Sequence, residues 1–597
     1  MALPISFLLG LLVVVANREL GGTLPGACTI GDLLLAALLL AVPWLFATLA
    51  RRFAAKSIVS GRLSVVPPRA LLRLSTISIP LVVYGFFEFG AYNDCIDRVA
   101  GSSHVMRTLL SIAPLYLAEI PRLAMATMAE GLLEASYDVR DSHPVSRSLL
   151  PKWSDGWPVF RLRLGWPLLT LLPAILLGAC LDLLQLHRPS YVFVLATAAG
   201  MTIATVGFML LASAVLPYWF RVAFGLRSAM PEPIGTTLRS TASMLGFSPK
   251  RVFSLPTGMR SMNAMMVGPL PSGRLLCLTD GLLATLDSLS LTGVLAHEVG
   301  HSRMGHPGLL MLLAVIVPLM MLSPLRLLEI EDLDVTMQVT GAVVIMLLFW
   351  LSLRGLARRF EYEADVSSVR ALGAEPCSRA LMTVSRMSVP PTRSVRGRLM
   401  SLHPDEKQRL ELMRRYEVEP EFRTQFDRNT RRIRRVIALI LAVAVLIGGW
   451  FWQADWKFER VLVRFYSGDL VAAQNAMDQF SELPKRWRDP LQQVNEQLAC
   501  ALELAPNARE WSAVEDQLVP AAWDRGQLVL LAEGPAAARP WFSLAITAIP
   551  EPSPTEYAVY EFCKAAADGD SYLMSELALI VKRRGVPDGL QPVFRDY

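Results

Sequence analysis

The sequence predicts a polytopic α-helical membrane protein. It carries an α+β domain that is mostly helical with a short edge sheet, and it ends in an all-α domain. Three observations lead there. Hydrophobic residues make up 53% of the 597 residues and charged residues only 18%, with a mean hydropathy of +0.39, a composition outside the soluble globular range. Long apolar runs alternate with Arg-rich connections. One polar stretch between them holds the pattern H-E-x-x-H, at His297-Glu298-Val299-Gly300-His301.

Residues 2–16 are apolar but short, with no Lys or Arg before them and no clear cleavage site after them. They read as a marginal first span rather than a signal peptide. Further spans are expected at 33–50, 74–92, 106–124, 166–184 and 191–217, which makes 1–217 a membrane region of about six spans. The fourth contains Glu119, placed facing other helices or near the interface. Residues 218–435 form the α+β domain, interrupted by a membrane hairpin at 307–353 whose tip, 326–337, is acidic. The last span is 436–452, with Trp450 and Trp452 where an interfacial belt would lie. Residues 453–597 are mixed in charge and expected to be helical.

Arg51, Arg52, Lys56, Arg62, Arg69 and Arg73, then Arg140, Arg147, Lys152, Arg161 and Arg163, and finally the run 431–435 mark cytoplasmic connections. With about nine spans, the N-terminus and the H-E-x-x-H domain fall inside, and the C-terminal domain falls outside. The Arg-rich 423–435 segment orients its helix and meets anionic lipid, so no nucleic-acid partner is expected. None of the 7 cysteines forms a CxxC pair, which removes thiolate zinc and dithiol redox sites. Cys500 and Cys563 share the C-terminal segment and could pair there if it lies outside the cytosol. Tyr466–Ala473 resembles the turn of a tetratricopeptide unit, but no second copy follows at the ~34-residue period, so a plain helical domain is expected. Such a domain could bind an extracytoplasmic protein partner.

On a helix, positions i and i+4 share a face, so His297 and His301 can hold one metal ion and Glu298 can deprotonate a water beside it. A catalytic zinc usually takes a third protein ligand. Glu361 is the candidate, and Asp365, one turn on, can fix the tautomer of a ligand imidazole. Glu363 is turned about 160° from Glu361 and reads as a solvated or paired charge. His306, five residues past His301 and about 140° round the helix, reads as structural. The segment 251–280 has strand character and would add an edge strand beside the cleft, suited to binding substrate as a further strand.

The H-E-x-x-H, the hairpin and Glu361-Tyr362-Glu363-Ala364-Asp365 together resemble the membrane zinc endopeptidases of the HtpX and CAAX-prenyl-protease type. Leu278-Thr279-Asp280-Gly281, Asn263-Ala264, and His403-Pro404 with Arg409 resemble further elements of that family, and Asp405 departs from it where a second proline is common. The likeness covers about 250–415. It implies a zincin-like, gluzincin arrangement: one Zn2+ per chain on His297, His301 and Glu361, with Glu298 as general base. His403 is the candidate oxyanion donor with Arg409 as runner-up, and Asn263 lies at the substrate edge. It also implies protein or peptide substrates, membrane-associated or misfolded. Short loops and high Leu/Arg usage suit a bacterial inner membrane. The rival is a receptor or assembly scaffold that uses a protease-like fold and its C-terminal domain to bind partners. A scaffold has no need of Glu298. A transporter is disfavoured, because no internal hydropathy symmetry is seen.

Overall fold

The structure is a computed structural model. It describes residues 5–20, 30–59, 66–89, 92, 96, 99, 100, 103–138, 153–228, 230, 232–313, 335–387, 404–505, 515–548 and 554–595. The first half is helical: α1 (Ile5–Leu20), α2 (Ile30–Val59), α3 (Val66–Phe89), α4 (His104–Asp138), α5 (Trp153–Gln185), α6 (Arg188–Ala196) and α7 (Ala198–Phe224). The middle contains α8 (Ile234–Met244), β1 (Val252–Leu255), β2 (Ala264–Val267), β3 (Leu275–Thr279), α9 (Asp280–Thr285), α10 (Ser288–Arg303), α11 (Val335–Leu372), α12 (Ala374–Met387) and α13 (Glu406–Val418). The 47-residue α14 (Pro420–Tyr466) leads into α15 (Leu470–Met477), α16 (Lys485–Leu504), α17 (Glu515–Ala532), α18 (Pro535–Ala548), α19 (Pro554–Asp568), α20 (Ser571–Arg584) and α21 (Gln591–Arg595).

Six of the described helices (α2, α3, α4, α5, α7 and α14) are long and apolar enough to cross a membrane. The protein is therefore a multi-pass membrane protein. At 16 residues, α1 is shorter than a typical span. The expected span at 191–217 begins instead at Ala198. Thr197 is extended there and separates α6 from α7, and its hydroxyl accepts from the Gly200 amide at 2.8 Å, a helix start that leaves 191–196 in a separate short helix. Of the expected hairpin, residues 314–334, with the acidic tip through Asp334, lie outside the described residues.

Glu119 faces other helices. It is fully buried and takes a two-pronged pair from Arg122, at 2.7 and 2.8 Å, and Arg122 reaches Thr76 on α3 at 3.2 Å. A buried charge is tolerable when so paired.

The sheet has the order β1-β3-β2, with β1 parallel and β2 antiparallel to β3. Side chains alternate across it. Leu276 and Leu278 pack with Leu291, Leu295, Ala296 and Val299 of α10. Leu275 and Cys277 pack with Phe220 and Phe224 at the end of α7. The sheet is thus clamped between the H-E-x-x-H helix and a membrane helix.

The C-terminal helices have their own core around Phe458, Phe465, Leu498, Phe542, Phe562 and Phe594. Cys500 and Cys563 are both buried in it and free, so they do not form the disulfide considered above. Asp469 caps α15 through the Ala472 amide at 3.1 Å, after Gly468 at φ +89°. That is the turn anticipated at Tyr466–Ala473. Of Pro550–Pro554, which the sequence reads as a linker or turn, residues 550–553 lie outside the described residues and Pro554 begins α19.

Candidate metal centre

The H-E-x-x-H lies on α10, which Asp287 starts by accepting from the Ser290 amide. The opposite wall is α11, which carries Glu361, Glu363 and Asp365. The two helices touch closely because position 300 is glycine. A Cβ there would stand 2.9 Å from the Ala364 carbonyl oxygen.

This approach brings His297, His301 and Glu361 together. The two Nε2 atoms are 3.3 Å apart, His297 Nε2 lies 3.7 Å from Glu361 Oε2, and His301 Nε2 lies 3.6 Å from Glu361 Oε1. Three donors around a tetrahedral zinc at ~2.0–2.1 Å would be separated by about 3.4 Å. Two imidazole nitrogens and a carboxylate are also a donor set zinc favours. The residues present therefore fit such an ion.

Each imidazole can be held with Nε2 facing the centre. His297 Nδ1–H donates to Asp365 Oδ1 at 2.9 Å. Asp365 is fully buried and clasped by Arg409, whose Nε and Nη2 reach it at 2.8 and 2.7 Å. Burial opposes the Asp365 charge, but Arg409 and His297 outweigh it and hold the carboxyl below its usual range. Burial likewise opposes the Arg409 charge, and Asp365 and Glu361 more than restore it. For His297, burial lowers the pKa, and Asp365 raises it further than burial depresses it. His301 is pushed down to about 3 by burial and by His297, which leaves it neutral as a ligand must be.

Other expected residues fall as follows. Glu298 is half-buried. Burial and the Glu298 charge together push the Cys277 thiol up to about 12, so Cys277 stays protonated and inert. Asn263 is exposed just before β2, its main chain paired with Thr279. Arg409 was expected to contact substrate. Its guanidinium lies against Asp365 and, at 3.4 Å, Glu361, with a side chain only 11% exposed. His403 lies outside the described residues.

Of the two readings of Glu363, solvated or paired, the structure shows the paired one: it is 1% exposed and paired with His306, Arg434 and Arg359. One feature escaped the sequence. Arg274, 2% exposed, donates to the carbonyls of Gly268, Pro269 and Ser302, tying the β2–β3 turn to the end of α10. Isolated cations in sequence give no sign of such carbonyl partners. Arg434 and Arg423 also turn inward, Arg423 to the Tyr416 and Glu417 carbonyls, rather than serving lipid alone.

A His-His-Glu centre with an adjacent glutamate, set in a helical domain beside membrane helices, defines a membrane metallopeptidase. Residues 232–417 match the model of Peptidase family M48. The chain is similar to a protease HtpX homolog of Pyrobaculum calidifontis, 27% identical over 239 residues that cover 36% of this chain and 67% of that protein. A protease HtpX homolog of Pyrobaculum islandicum is 27% identical over 203 residues, 31% of this chain and 56% of that protein. The chain is a metalloendopeptidase, with a domain at 232–417 similar to Peptidase family M48 and to these HtpX homologs.

Proposed function

We propose that the protein is a zinc-dependent endopeptidase that hydrolyses peptide bonds of membrane-associated or misfolded proteins, for quality control or processing. The observation that carries this reading is the 3.3–3.7 Å spacing of the His297, His301 and Glu361 donors with Glu298 beside them in sequence. Zinc, when bound, polarises the scissile carbonyl and lowers the pKa of water toward ~7. Glu298 takes the proton from the attacking water and returns it to the leaving amine. His403 donates to the developing oxyanion. Asp365 and Arg409 are positioning residues that hold His297 and Glu361 in place. The edge of β2 away from β3, unpaired among the described strands, receives the substrate main chain as an added strand, with Asn263 at its end.

One zinc per chain is expected, with the peptidase domain in the cytoplasm of a bacterial inner membrane and residues 453–597 outside. Detergent-purified protein should contain about one zinc per chain and cleave an unfolded substrate such as casein. Glu298→Gln should keep the zinc and lose turnover by at least the ~10²-fold typical of a missing general base. Wild-type protein that holds no zinc would overturn the assignment.

A further inference from the structure

His297 and His301 are held in different ways. Each must keep its proton on Nδ1 if Nε2 is to face a metal. For His297 the proton goes straight to a carboxylate, Asp365. For His301 it goes to another imidazole, because His301 Nδ1 lies 3.0 Å from His306 Nδ1. His306 can accept it only with its own proton on Nε2, and there Glu363 Oε2 waits at 3.2 Å. His306 is 1% exposed and stacks on Phe360, with ring centres 4.2 Å apart and planes 8° from parallel. Its ring therefore has little freedom to turn. Arg434 Nη2 then donates to Glu363 at 2.9 Å and to the Met304 carbonyl, the C-cap of α10, at 3.0 Å.

We infer that His306, Glu363 and Arg434 form a relay that positions His301, and that through Arg434 the last membrane helix helps set the affinity of the centre for its metal. Glu363 is not one of the three donors. Its role follows from the four bonded contacts alone. Arg434 acts twice, holding the carboxylate that orients His306 and fixing the end of the helix that carries His301. Because α14 continues into the C-terminal bundle, force on that bundle has a covalent route to the relay.

The inference rests on the metal-site reading, and the test separates the two. Zinc affinity is measured on the detergent-purified full chain by competition with a chromophoric chelator. The visible spectrum of the Co2+-loaded protein and the melting temperature of the metal-free form are recorded beside it. Arg434→Gln and Glu363→Gln should weaken zinc binding 10–100-fold, the range for partners that orient a ligand, and should alter the Co2+ bands. Arg434→Lys, which keeps a donor and the charge, should recover part of the loss. Arg434 is 38% exposed, so its variants are the safer ones to fold, and they decide the matter if Glu363→Gln does not. Wild-type zinc affinity and Co2+ bands in Arg434→Gln, even with a lowered melting temperature, would overturn the relay while leaving the centre intact. A wild-type protein that binds no zinc would overturn the centre itself.

Discussion

At the residue scale, the ligands could be read because their geometry is local. Spacing i to i+4 places His297 and His301 on one face, and the same spacing places Glu361 and Asp365 on another. What holds them is non-local. Arg409 arrives from α13 and Arg434 from α14, and neither approach leaves a periodic trace. Arg409 was singled out by its place after His403, but its partner was not legible, since nothing in a sequence shows that a guanidinium faces a buried carboxylate. That pairing predicts the cost of losing it. Arg409→Ala leaves Asp365 charged, fully buried and without its main partner, a situation that costs about 3–5 kcal/mol. His297 would lose its fixed tautomer as well. The variant should melt well below wild type and bind zinc at least tenfold more weakly. Arg409→Lys should remain impaired, because an ammonium cannot reproduce the fork on Asp365. A chelator titration beside a thermal melt checks both, and an unchanged zinc affinity in Arg409→Ala would remove Arg409 from the support of the site.

At the element scale, the separation of α10 and α11 decides whether three donors meet. Helices in contact usually lie 8–10 Å apart, and small residues allow the closer end of that range. Gly300 sits between the two histidines and faces Ala364. An added Cβ would approach the Ala364 oxygen to 2.9 Å and the Ala364 Cα and Ser367 Cβ to 3.2 Å. Backbone cannot yield as a flexible side chain does. Gly300→Ala should therefore push α11 outward, with an overpacking cost of about 1–3 kcal/mol, and carry Glu361 away from the imidazoles. Zinc affinity should fall although no ligand is touched. Normal zinc binding by Gly300→Ala would show that the helices can shift without opening the centre. The sheet was partly legible: its strands were marked by Val, Leu and Met runs between Pro and Gly. Its order was not, since a parallel β1–β3 pair with β2 on the far side of β3 depends on contacts across some 20 residues of chain.

At the scale of the whole molecule, two helices fix how the peptidase and C-terminal parts are placed. Helix α7 runs from Ala198 to Phe224, about 39 Å at 1.5 Å per residue. At its start, the Ala198 amide donates to Glu459 of α14 at 2.8 Å. At its end, Phe220 and Phe224 pack under the sheet. Helix α14 covers a similar rise between Arg434, bonded to Glu363, and Glu459, about 37 Å. The two helices thus join the same two levels, and the distance between those levels exceeds the ~30 Å of a hydrocarbon core. Hydropathy located the apolar stretches of these helices but not their ends, and the Glu459 link could not be foreseen, because a lone glutamate beyond a span looks like a solvated charge. The consequence is a topology that does not depend on how many spans precede residue 198. The metal centre and the bundle that follows Glu459 should lie on opposite faces of the membrane. By the Lys/Arg rule, the Arg-rich end at 423–435 predicts that the centre faces the cytoplasm. Single cysteines placed at Glu411 and Tyr572, both with exposed side chains, in a background with Cys28, Cys95 and Cys180 replaced by serine, provide the check. A membrane-impermeant maleimide applied to intact cells should label position 572, and position 411 only after lysis. Labelling of both positions from one side would mean that α14 does not cross. Labelling of 411 alone in intact cells would keep the crossing and invert its direction.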